Sequence, residues 1–353
     1  MHTVYRYVVK ELLLVLCVVF AILIFIGVGF RLTGYLQEAA NGRFDADVLW
    51  TLIALRLPEF VQIVLPFSLF LAIVVTLGRV HADQEFVVLV SGGMGPIKMI
   101  GWLLSIVVPC SVVVGLLSLQ VTPRATSSVV GLVADQAISS EIAAIVPGKF
   151  RMFSGGSRTI YSEGIDRDSR TLSGVFYSES KDDRSTIVIA RTAQIRIGSL
   201  PGERLLVLKD GRRYEGTPGK PNYRVINFEE LALRLELEEA LPLDLALESR
   251  PTTDLDLSVP EDAQELHWRI ALPIITLVGC LFAYGISRTK PRSGRFGQIV
   301  PGILIFVSYY VLLVLARQGM AQNTILNTLG LWPVHALVGL AAIYTTIKQS
   351  RPA

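Results

Sequence analysis

A few polar residues in an otherwise apolar sequence have types and spacings that could do chemistry. Asp83, Gln84 and Glu85 precede the apolar Phe86–Val90 and then Ser91-Gly92-Gly93. Asp83 can cap a short helix, Gln84 and Glu85 fit its first turn, and the glycines end it. Such a helix could dock into a groove on a protein partner, with Glu85 offering a carboxylate to a basic side chain. An interfacial turn with solvated charges accounts for the same spacing, which does not separate the two. Arg31 and Arg317 each adjoin a long apolar run. Two permanently charged guanidiniums there could hold phosphate, although snorkelling to headgroups is the simpler reading from the residues alone. Arg56 and Glu59, one turn apart, read as an ion pair rather than as substrate ligands. His267-Trp268-Arg269 reads as an aromatic and basic anchor at an interface, with a catalytic histidine as the remote alternative.

Catalytic chemistry has little to stand on. No GxxxxGK[ST] occurs, and Gly219-Lys220 runs into Pro221 in a turn, so no nucleotide hydrolysis by the chain itself is expected. There is no HExxH or GxSxG, and the four histidines, His2, His81, His267 and His335, are scattered. Cys17, Cys110 and Cys280 lie far apart inside apolar runs, which predicts three buried thiols and no disulfide, metal or redox motif. No catalytic residue, metal ligand or cofactor is assigned.

The elements that position these residues are membrane spans. The chain is 51% hydrophobic with a mean hydropathy of +0.51, and its net charge of +3 points to no nucleic-acid partner. Uncharged stretches at Leu12–Phe30, Phe60–Gly78, Met99–Pro123, Ile270–Ser287, Phe296–Ala316 and Gln318–Ile347 are each near or above the roughly 18 residues that cross hydrocarbon. In the last, Asn323, Asn327 and Gly330 predict a helix starting near Leu329. The first is expected to be a retained span rather than a cleaved leader. Arg6, Lys10, Arg79, Lys98, Arg288, Lys290, Arg292, Arg295, Lys348 and Arg351 fall on one side of a six-span arrangement. The positive-inside rule makes that side, with both termini, cytoplasmic. The loops Arg31–Asp47 and Arg317–Thr328 are then outside. Pro58, Pro66, Pro109, Pro273 and Pro301 could kink spans around a cavity.

From Arg124 to about Arg269 the chain turns polar and alternates with period two at Ser185–Ala190, Ala193–Ile197, Arg204–Lys209, Asn222–Phe228 and Leu231–Glu239. Asp210-Gly211 between Leu205–Lys209 and Arg212–Glu215 predicts a two-residue hairpin turn. A sandwich, jelly roll or other open β fold follows, its strand order undetermined. Leu241–Pro260 shows neither period and reads as a linker able to move. The division is 1–123 with three spans and the short helix, 124–266 with the β domain and linker, and 267–353 with three more spans.

The sequence also resembles the permease family of the lipopolysaccharide export transporter, nearer its F-type than its G-type members. The likeness rests on Arg6-Tyr7, Leu57-Pro58-Glu59, Leu65-Pro66-Phe67-Ser68-Leu69-Phe70-Leu71, and Gln84-Glu85 followed by Ser91-Gly92-Gly93-Met94. Later come Arg213-Tyr214-Glu215-Gly216, Tyr223-Arg224-Val225, Glu265-Leu266-His267-Trp268-Arg269-Ile270 and Lys290-Pro291-Arg292-Ser293-Gly294-Arg295. The resemblance implies a multi-pass protein of the Gram-negative inner membrane, non-catalytic, with a periplasmic β-jelly roll. It would pair with a G-type homologue and a homodimeric cytosolic ATPase. A single-span periplasmic jelly-roll subunit and a periplasmic bridge protein complete the implied partners. Lipopolysaccharide is the implied substrate. By the same resemblance Glu85, with Asp83 and Phe86 beside it, falls on the segment that couples to the ATPase, and Arg31 and Arg317 fall on bases facing the substrate's phosphates. Gly34 departs from relatives that carry a second base there.

Two other classes are weighed against this. A membrane receptor would want a cytosolic signalling domain, and none is expected after Ala353. A lipid-modifying enzyme would want carboxylates or histidines at one membrane depth, and the spans offer almost none.

Overall fold

Charge marks where a helix leaves hydrocarbon, not where its hydrogen bonds stop, and the helices of the computed structural model outrun the apolar stretches. The structure describes residues 2–40, 46–91, 95–144, 147–153, 158–166, 171–181, 184–197, 204–217, 219–220, 223–235, 243–287, 297–320 and 329–350. Of the sequence signals, Gly92-Gly93, Asn222, Glu236–Glu239, the basic loop from Arg288 to Arg295, Asn323, Asn327 and Arg351 lie outside these residues. The chain forms two compact units, one of Met1–Gly34, Ile53–Thr126 and Leu247–Ala353, the other of Tyr35–Leu52 and Ser127–Ala246.

Helix α1 spans His2–Ala40 and α2 Ala46–Ala82, so most of the expected outer loop is helical. After α3 (Glu85–Ser91), α4 (Pro96–Leu116) starts with proline in its first turn, where a missing N–H costs nothing. A π-helical turn, Leu117–Val121, joins it to α5 (Thr122–Ala144), which carries the third span well past Pro123. Then come α6 (Leu243–Glu248), α7 (Pro260–Ile286), α8 (Ile299–Met320) and α9 (Trp332–Ser350). Five segments among the described residues are long and apolar enough to cross a membrane: Val4–Gln37, Val48–Ala82, Ile97–Val133, Pro260–Ile286 and Ile299–Met320. The helix expected as the sixth, α9, has 19 residues and is not one of these. The core centres on α2, buried on every side from Ser68 to Val74, with Ile275, Ala283 and Tyr284 of α7 and Tyr309 and Leu313 of α8 around it.

Two prolines explain how α4, α5 and α7 are joined. Pro123 cannot donate to the carbonyl of Leu119, and the Thr252 hydroxyl donates to that oxygen instead, at 2.5 Å. Pro273 likewise frees the carbonyl of Arg269, which accepts from Ser118 Oγ at 2.9 Å, while Ser111 Oγ donates to Pro273 O at 2.9 Å. Hydroxyls from a neighbouring element thus satisfy backbone groups that would otherwise stand bare in an apolar medium. These two prolines thus tie neighbouring elements together through the carbonyls they free.

The thiols depart from expectation. All three are free, but only Cys280 is buried; Cys110 is half-buried and Cys17 is exposed on α1. An apolar run in a membrane helix has an outward face, so hydrophobicity alone does not bury a side chain.

The second unit carries one antiparallel six-stranded sheet in chain order: β1 (Arg151–Phe153), β2 (Arg158–Asp166), β3 (Thr171–Lys181), β4 (Arg184–Ile197), β5 (Arg204–Gly216) and β6 (Arg224–Leu235). The predicted hairpin turn is not there: Asp210-Gly211 sits inside β5, which pairs with β4 and β6 on both sides of it. Pairing skips one transverse row, Glu163, Gly174, Arg191, Asp210 and Glu229. Gly174 and Asp210 there take φ of 60° and 51°. Across this crease the inward set changes phase, from Val175 and Tyr177 to Leu172 in β3 and from Val188 and Ala190 to Ala193 in β4. A Cβ on Gly211 would lie 2.5 Å from the Phe228 ring, so only glycine fits at the fold line. The turn signal in the sequence is real, but it bends a strand rather than ending one. For the same reason the separate alternating segments fuse pairwise into β4 and β6.

Candidate functional site

Within the helical unit, charged residues gather at two ends. One end carries the start of α1, the close of α2 and α3. Arg79, in the last turn of α2, donates through Nη2 to the Tyr7 hydroxyl at 2.6 Å and pairs with Glu11 of α1. Tyr7 in turn donates to Glu85 Oε1 at 3.5 Å. Glu85 opens α3 as expected, but Asp83 and Gln84 stand before the helix as a turn. Asp83 N donates to Arg79 O and Gln84 N to His81 O, and Gln84 takes φ of 57°. Gln84 is therefore outside the first turn of α3, and Asp83 is exposed one residue too early to cap it. Phe86 is half-buried and stacks on His81, ring centres 4.3 Å apart. Glu85 and Phe86 are thus held against α1 and α2, while Val88 is exposed. Tyr7, Glu11 and Arg79 went unread as site residues; the signal was one arginine and one carboxylate at the mouths of two adjacent spans.

The opposite end is built on α7. Arg269, 2% exposed, uses all five N–H groups: Nε to Glu265 at 2.8 Å, Nη1 to Arg250 O at 3.0 Å and Thr252 Oγ1 at 2.7 Å, Nη2 to Leu247 O at 3.3 Å and Glu248 O at 3.2 Å. The expected interface anchor is instead an interior cross-link, because five fixed donors meet five acceptors and hydration is not needed. It pins the segment from Leu247 to Thr252, which the sequence read as part of a mobile linker. Arg250 reinforces this by donating to buried Asp262, which also accepts from Asp256 N. His267 lies so close against Gly330 that a Cβ there would run into its ring.

Arg317 joins the same cluster. Its Nη2 donates to Glu265 Oε2 at 2.8 Å and its guanidinium lies 5.0 Å from the Trp268 ring centre, a cation–π arrangement. Gln264 donates to the carbonyl of Arg317, one of the orphan acceptors in the last turn of α8. Glu265 therefore serves two arginines with its two oxygens. Arg56 and Glu59 pair with each other at 2.7 Å, as the spacing predicts. Glu248 has its carboxyl pushed up to about 7, first by burial and then by Glu265 and Glu59, with Arg317 and Arg56 opposing. Arg31 is exposed on α1, which continues past it for more than two turns. Below it Phe25 and Phe30 are 82% and 80% exposed.

A buried polar pair also escaped the sequence reading: Tyr309 Oη and His335 Nδ1 lie 2.6 Å apart, joining α8 to α9. A lone histidine in an apolar helix was its signal.

The geometry offers a charged cluster at one end of the helical unit, a buried ionic knot at the other, and a long exposed apolar face on α1. The family model described as "Lipopolysaccharide export system permease LptF/LptG" matches residues 6–348. The chain is 23% identical to the lipopolysaccharide export system permease protein LptF of Escherichia coli K12, over 98% of this chain and 95% of that protein. LptF of Shigella flexneri matches at the same identity and coverage. Helices that can cross a membrane, an inserted β sheet and a match over nearly the whole length agree, and the chain belongs to the LptF/LptG family of lipopolysaccharide export system permeases.

Proposed function

We propose that this chain is the permease half of an ATP-driven exporter that lifts lipopolysaccharide out of the outer leaflet of the inner membrane. It pairs there with a G-type homologue and a homodimeric cytosolic ATPase, with both its termini cytoplasmic and its β unit periplasmic. The observation that carries the reading is the far half of α1. Ile22, Phe25, Ile26 and Phe30 are exposed there and lead up to Arg31, so the helix presents an apolar wall with a cation at its rim. An amphiphile with acyl chains and phosphates fits such a wall once a second permease closes the other side. Arg31 offers its charge to a phosphate at that rim. Arg317 contributes its charge while tethered to Glu265, so its reach toward substrate is shorter. The β unit passes the lipid to a periplasmic jelly-roll chain, with β6 as the long edge strand to which a neighbour can add.

Coupling runs through Glu85 and Phe86, with Asp83 exposed beside them. Transport requires the closed cavity to bind the lipid differently from the open one, since equal affinity moves nothing. The test is co-reconstitution of the chain with its G-type partner and ATPase, reading lipopolysaccharide release and ATP turnover. Glu85→Ala is expected to cut release at least about tenfold, the scale of one lost charge-assisted contact. Unchanged release would remove Glu85 from the coupling path.

A further inference from the structure

A second charged site lies inside the β unit. Arg213 of β5 pairs across to Val188 of β4 and to Ile226 of β6. Directly opposed residues share a face, and Val188 is fully buried, so Arg213 occupies a core row where an apolar residue would be ordinary. Two residues farther along, the same face carries a charged row: Arg158, Glu179, Thr186, Glu215 and Arg224. Half of this row is self-satisfied. Arg158 donates to Glu179 at 3.0 Å, and Tyr177 Oη donates to the same carboxylate at 3.2 Å.

The other half has a cation in excess. Arg213 pairs through Nη2 with Glu215 at 2.5 Å, yet its buried Nε has no hydrogen-bond partner. No described carboxylate forms an ion pair with Arg224, which lies across from Glu215 and is exposed. Around these groups is a recess of about 440 Å³ lined by Ser185, Thr186, Thr217 and both arginines. Its shape depends on Gly216, where a Cβ would come within 2.6 Å of the Tyr223 ring. Two guanidiniums, three hydroxyls and one compensating carboxylate form a donor-rich pocket at the end of an apolar interior.

We infer that this recess is an anion-binding subsite of the β unit, with Arg213 and Arg224 holding a phosphate group of an amphiphilic ligand. The assignment of that phosphate to the exported glycolipid rests on the proposed permease function. Calorimetric titration of the full chain in lipid nanodiscs with inorganic pyrophosphate reads the subsite by itself. Arg224→Gln, at an exposed position, should weaken binding about tenfold, the equivalent of one charge-assisted hydrogen bond, and Arg224→Lys should restore part of it. Arg213→Gln sits in the core row, so its result counts only if the protein stays folded. Equal affinity in wild type and Arg224→Gln, or no binding to wild type, overturns the subsite. A photo-crosslinker at Thr217 in the assembled transporter reads the source of the phosphate. Capture of lipopolysaccharide that falls on enzymatic dephosphorylation supports the assignment, and equal capture overturns it. Pyrophosphate binding that depends on Arg224 in a complex that exports no lipopolysaccharide keeps the subsite and defeats the permease reading.

Discussion

Helices α1 and α7 are both long, apolar and able to cross a membrane, yet they are held in opposite ways. Half of the α7 span is buried, and polar bonds tie it on several sides: Arg269 to the α6 segment, Glu265 to Arg317, and proline-freed carbonyls to Ser118 and Thr252. Only 11% of the α1 span is buried. Val8, Leu12 and Leu16 anchor its first turns and Glu11 meets Arg79, while Ile22, Phe25, Ile26 and Phe30 of the far half are exposed. Apolar sequence marks both as membrane helices; the placement of rare polar groups separates a tied scaffold from a helix whose far half stays exposed.

Three substitutions probe this contrast. Arg269→Ala should have the largest effect, since it leaves Glu265 buried beside Arg317 alone and strands four other acceptors; a loss of about 3–5 kcal/mol is expected. Thermal unfolding in detergent measures it, and a small change would demote α7 from scaffold to ordinary span. Glu248→Gln is expected to have a moderate, pH-dependent effect. The folded carboxyl titrates near 7, above its ordinary 4.5, so its contribution is favourable while protonated and is lost as pH rises through that window. At pH 8 the glutamine variant should melt about 2–4 °C higher than wild type, and at pH 4.5 the two should coincide. Phe25→Ala should be nearly silent in stability, within about 0.5 kcal/mol, because the ring is exposed. Lipopolysaccharide release or association with the G-type partner should nevertheless fall, and a stability loss above about 2 kcal/mol would mean α1 is packed like α7.

Much of this was legible in the sequence. Apolar runs located five membrane-length helices, period two located the sheet, and the spacing of Arg56 and Glu59 gave their ion pair. What was hidden depends on distant neighbours. Nothing around Arg269 reveals that four acceptors approach it from Leu247 to Thr252, so a basic residue beside tryptophan reads as an anchor. Asp210-Gly211 carries the backbone preference of a turn, and only the strands on either side make it a crease. Arginines ended the predicted spans early at Arg31 and Arg124, where the helical hydrogen bonding carries on. The partners of Glu85 came from Tyr7 and Arg79, far away in sequence and adjacent only because α1 and α2 meet at one end.

The two proline-freed carbonyls have a mechanical consequence. Sliding α7 along α4 by one helical turn would pull Arg269 O away from Ser118 and leave it bare in a medium with no replacement donor, and displacing the Thr252 segment would do the same to Leu119 O. Such a step costs several kcal/mol before any apolar contact is lost, whereas tilting the pair together costs neither bond. Under the proposed function, α4 and α7 therefore move as one lever, and the shape change that transport needs falls to helices that lack such ties.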